Sequence, residues 1–105
     1  MTAVADKLRE ARALIERGWT RGALERDGRV CMVGAVNMSL CGDAYWQLAD
    51  TRCPEHRVRD AMWALLEDAT GTPWLGDWND KAKSKRPVLA AFDRAIELAE
   101  QESAA

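Results

Sequence analysis

The sequence predicts a mostly α-helical single domain spanning residues 1–105, with about five helices and at most a short two-stranded ribbon near residues 22–31. Three observations carry this reading. Apolar residues recur at helical spacing in three separate stretches, glycines stand where those stretches end, and one central stretch is apolar on nearly every face. At 105 residues the chain is long enough to bury its own core without metal or disulfide support.

Residues 2–17 read as the first helix. Val4, Leu8, Ala11 and Ile15 form one stripe, Leu14 widens it, and Arg12 and Glu16 are spaced to pair on the outer face. Gly18 is expected to end the helix in a left-handed conformation, with Trp19 folding back over Leu14. Asp27-Gly28 is a type I′ turn signal, so a short hairpin leaning on the helices is expected around it.

Residues 31–41, CMVGAVNMSLC, have the composition of a buried central helix. Gly34, Ala35 and Ser39 would admit a neighbouring helix at close range. Such packing would offset the roughly 1 kcal/mol that glycine costs against alanine in a helix. Asn37 must find partners for its amide if buried, and a loop backbone is the expected one. Gly42 ends this helix and Asp43 caps a short one over 44–50, anchored by Tyr45, Trp46 and Leu48. Pro54 fits the first position of the next, whose stripe is Val58, Ala61, Met62, Leu65, Leu66 and Ala69, closed by Gly71 and Thr72-Pro73. Residues 71–84 are expected to be a loop. Ser84 then caps a last helix with Val88, Leu89, Phe92, Ala95, Ile96 and Ala99 in register, and the tail after Glu100 should fray.

Composition narrows the function classes. A net charge of −2 leaves no overall attraction for phosphate backbones. No apolar run reaches membrane-spanning length, and MTAVADKLRE is not a signal peptide, so no membrane partner and a cytoplasmic location are expected. An odd cysteine count, Cys31, Cys41 and Cys53 without a CxxC pair, points to free thiols in a reducing compartment.

Candidate chemistry is sparse. Cys31, Cys41, Cys53 and His56 nominally make a zinc set, but the helix between the first two would hold them about 15 Å apart. Leaving out Cys31 gives Cys41, Cys53, His56 and Asp43 with a C-x-x-H pair, a weak signal for zinc beside the reading of buried thiols, and the expectation is no metal and no cofactor. His56, the only histidine, is placed on an exposed first helical turn with no nucleophile tied to it.

Unusual residues gather instead in Trp74–Pro87, WLGDWNDKAKSKRP. Asn79 and Asp80 are expected to brace this segment by bonding backbone amides, while Trp78 packs inward. Trp74 and Trp78 suit interface anchors. Lys81, Lys83, Lys85 and Arg86 sit at the start of the last helix, where the dipole disfavours them and where an anionic partner would be welcome. The expectation is a non-catalytic accessory module, with no intrinsic enzymatic activity, that binds a protein through residues 72–86. The same surface could also form a homodimer. Nucleic-acid binding through Lys81, Lys83, Lys85 and Arg86 is the first alternative. A small hydrolase or nucleotide-binding protein using Asp77 and Asp80 is the second, and it would need a carboxylate-lined pocket against the Gly34 helix.

The stretch GWTRGALERDGRVC, the Cys31-x-x-Gly34-Ala35 step, and Trp78-Asn79-Asp80 leading into VLAAFDRAIELAE resemble an uncharacterised domain-of-unknown-function family of actinobacteria and their phages. The resemblance covers about residues 10–99. It departs in the connection before Cys31 and in the lysine-rich linker before Ser84. It implies a bacterial or phage context and carries over no catalytic residues.

Overall fold

A computed structural model describes residues 3–46 and 55–104. Five helices surround one core: α1 (Ala3–Arg17), α2 (Met32–Cys41), α3 (His56–Thr70), α4 (Leu75–Lys81) and α5 (Lys85–Ala104). A two-stranded antiparallel ribbon, β1 (Glu25–Arg26) and β2 (Arg29–Val30), lies between α1 and α2. Helix α1 packs on α2 and α5, and α5 packs on α3.

The predicted stripes are the faces that bury. Leu8, Ala11 and Ile15 of α1 meet Met62 and Leu66 of α3, and Val88, Phe92 and Ala95 of α5, in a single cluster. Burying each large aliphatic or aromatic side chain of this kind contributes about 1.5–3 kcal/mol. Arg12 bonds Glu16 at 3.1 Å as the spacing predicted, and it also reaches Asp93 of α5 at 2.6 Å. Ser84 Oγ accepts from the amide of Arg86 at 3.4 Å, capping α5 as expected. That helix continues to Ala104, past the point where fraying was predicted.

The hairpin turn is the predicted one. Asp27 and Gly28 both take positive φ, 54° and 79°, and pair Arg26 with Arg29 across a two-residue loop. Gly18 behaves differently from expectation. It is not left-handed. Its amide completes the helix by bonding Leu14 O at 3.1 Å, and its carbonyl accepts from Val30 N at 3.0 Å. Trp19 then bridges Val30. The chain leaves α1 extended because it joins the ribbon, and glycine serves there by closeness: an added Cβ would lie 3.0 Å from Arg29 Cγ.

Helix α2 is the central helix predicted, with Met32, Ala35, Val36 and Asn37 buried. The close neighbour of Gly34, however, is backbone rather than a second helix. A Cβ on Gly34 would strike Leu24 O. Asn37 meets its amide requirement as expected: Nδ2 donates to Ala44 O at 3.0 Å. Gly42 and Gly71 end α2 and α3 in the left-handed conformation, at φ 70° and 76°.

Two further expectations change. Residues 71–84 are not a loop, because α4 occupies Leu75–Lys81. Leu75 and Asn79, one helical turn apart, are both buried against the core, so tertiary packing stabilises a helix too short to form alone. Asp43 makes an Asx turn, accepting from Tyr45 N at 2.9 Å. The helix predicted over 44–50 falls mostly outside the described residues, as do Leu48, Cys53 and Pro54.

The thiols also differ from expectation. Cys31 is free and buried, but Cys41 is disulfide-bonded. The argument from an odd cysteine count to a reducing compartment therefore loses its basis. Among the described residues, no helix is long and apolar enough to cross a membrane.

Candidate functional site

The Trp78-Asn79-Asp80 step lies on α4, where its middle residue points into the protein and its outer two lie nearer the surface. Asn79 is fully buried. Its Oδ1 accepts from Trp19 Nε1 at 2.8 Å and from Met32 N at 3.1 Å, and its Nδ2 donates to Thr20 O at 3.1 Å. Met32 opens α2, so Asn79 satisfies one of that helix's orphan N–H groups from a distant element. Cys31 Sγ takes another, that of Gly34 at 3.3 Å. Burial pushes the Cys31 thiol up, outweighing the lowering effect of these amide contacts.

Asp80 continues the clasp from the rim. Its Oδ1 accepts from Gly22 N at 2.8 Å and from Asn79 Nδ2 at 3.3 Å. Arg21 closes the same edge, donating to Ala82 O at 3.1 Å with its guanidinium 5.9 Å from the Trp19 ring. Asn79 and Asp80 thus bond backbone amides as the sequence suggested, and the segment they brace is residues 19–32. Trp78 is half-buried and packs against the core.

The remaining predicted binding residues face water. Trp74 is 70% exposed, one of two large hydrophobics left open among the described residues, with Tyr45 the other. Together with Thr72, Asp77, Trp78 and Lys81 it lines a hollow of about 220 Å³. Lys81, Lys83, Lys85 and Arg86 are exposed. Lys85 is partly engaged, donating to Glu16 O at 2.8 Å. Asp77 and Asp80 do not converge. Asp80 lines a different hollow, of about 490 Å³, with Trp19, Thr20, Arg21, Gly22 and Arg26.

His56 is half-buried rather than exposed, its ring 5.3 Å from that of Trp46. Among the described residues, no group of three or more His, Cys, Asp or Glu could hold a metal. Sequence reading passed over Arg59, which lies over two indole rings and carries a guanidinium whose pKa burial lowers, against a smaller raising effect of Asp60. The available signal was its position one turn before Trp63 on the same helix face.

Fold and site together define a small helical domain whose central helix and ribbon are fastened by a Trp-Asn-Asp clasp. The chain belongs to DUF6197, a family of unknown function whose model matches residues 1–98. No curated protein and no solved structure matches it.

Proposed function

We propose that this protein is a non-catalytic accessory module whose Trp74 face docks an acidic protein segment. The observation that carries the reading is the 70% exposure of Trp74 beside Lys81. Trp74 is more open to water than any other large hydrophobic side chain among the described residues, and an indole so exposed is a ready anchor for a partner. The clasp removes Asn79 and Asp80 from the contact set, since each already has a role inside the fold, while half-buried Trp78 stays in the lining of the hollow. What remains is an apolar anchor with a hollow beside it, lined also by Asp77 and Lys81, with the exposed cations Lys83 and Arg86 following in the chain. That is the anatomy of an interface core with a cationic rim, and its charge selects an acidic occupant.

The test is an array of synthetic acidic peptides, with basic and neutral peptides as controls and duplex DNA as competitor. Retention of acidic peptides carrying an apolar residue is expected, with loss on Trp74→Ala. Because Trp74 contributes little to the core, that variant should melt within about 0.5 kcal/mol of wild type. Trp78→Ala should cost about 2 kcal/mol, below the range for a fully buried ring because this one is half-buried. Failure to retain any acidic peptide refutes the reading. Binding that survives Trp74→Ala but is displaced by DNA transfers the surface to nucleic acid.

A further inference from the structure

We propose that Arg59 is the binding group of an oxyanion site, taking the phosphate or carboxylate of a small ligand on its terminal nitrogens. The guanidinium is positioned before any ligand arrives. Its Nε donates to Asn37 Oδ1 at 3.1 Å. Its Cζ lies 4.4 Å from the centroid of the Trp63 ring and 5.5 Å from that of Trp46. Asn37 is only 1% exposed and is itself fixed through Nδ2 to Ala44 O. Trp46, 3% exposed, is backed by the His56 ring at an interplanar angle of 43°. Such preorganisation lowers the ordering cost of binding.

Two features separate this arginine from a structural strut. Arg9, Arg12 and Arg94 each pair with a carboxylate. Arg59 has no such pair among the described residues, although it is the arginine that burial disfavours most clearly. A desolvated charge with only the smaller attraction of Asp60 to offset its burial is costly, and a bound anion reduces that cost. The second feature is the edge left open. With Nε committed to Asn37, the end formed by the two Nη groups remains, and its parallel N–H bonds match a carboxylate or a phosphate. Trp63, half-buried, holds the guanidinium over its ring and so fixes the direction in which the two Nη groups point. The site is separate from the Trp74 face and stands or falls independently of it.

The test uses nuclear magnetic resonance of the intact protein, following the Arg59 Nε–H and Trp63 indole signals. Inorganic phosphate and sodium acetate are titrated in separate arms, with chloride at matched ionic strength. A saturable shift of both signals in one or both arms is expected, and the arm that saturates identifies the ligand chemistry. Arg59→Lys keeps the charge but loses the planar fork, so affinity should fall by about tenfold or more. Arg59→Gln should abolish the saturable shift while the remaining spectrum stays dispersed. If either variant fails to fold, the wild-type titration decides alone. Shifts that track chloride, or saturation confined to Lys81, Lys83 and Arg86, or Arg59→Lys binding as tightly as wild type, would overturn the proposal.

Discussion

Replacing Asn79 with alanine is the most informative single change, because one side chain holds three elements together. Loss of its amide leaves Met32 N–H and Thr20 C=O without partners in a buried setting. Each such orphan costs about 1–3 kcal/mol, so the pair gives about 2–6 kcal/mol. Trp19 Nε1 also loses its acceptor. Its ring is half-buried and can turn toward water, which places the total nearer the lower half of that range, at about 3 kcal/mol. For a domain of this size that lowers the thermal midpoint by about 12–24 °C.

Urea unfolding followed by circular dichroism measures the loss, and an unchanged m-value shows that the folded and unfolded states are otherwise comparable. Amide exchange should localise the effect, with Met32 and Gly22 exposed first because both bond the clasp. Trp19→Phe removes the indole donor together with part of the ring, and because the donor bonds Asn79, combining it with Asn79→Ala should cost less than the sum of the two. A loss below about 1 kcal/mol, or strict additivity of the pair, would refute the account of Asn79 as the central acceptor.

Two other outcomes follow from the packing. Gly34→Ala should destabilise by about 1–3 kcal/mol, despite a helix-propensity gain of about 1 kcal/mol, because its Cβ has no room beside Leu24 O; a higher melting temperature would contradict the close approach. Cys31 should resist alkylation in the native protein and react only on unfolding, as peptide mapping would show. Its thiol pKa is raised by burial, so its contribution is fully present below the ordinary thiol value of about 8.5 and is lost as pH rises through the higher folded value. Wild type should accordingly lose stability relative to Cys31→Ala as the solution becomes more alkaline, and parallel pH curves would refute that.

The sequence by itself determined the helices whose apolar stripes are long and regular. Leu8, Ala11 and Ile15, and likewise Val88, Phe92 and Ala95, repeat over several turns, and only one face of a helix satisfies such a pattern. It also determined the Asp27-Gly28 turn and the ends at Gly42 and Gly71, because residues that tolerate positive φ stand where a turn or a finished apolar stripe calls for it. Tertiary structure alone decided α4, whose seven residues are too few to show a period and are helical because Leu75 and Asn79 dock. It decided Gly18, which no local rule could separate from a helix-ending glycine until Val30 came to pair with the chain beside it. It decided the partners of Asn79 and Arg59 as well. A polar side chain announces in sequence that it needs hydrogen bonds, but apart from the neighbouring Asp80 the atoms that supply them come from residues 22 to 60 positions away, and only folding brings them within reach.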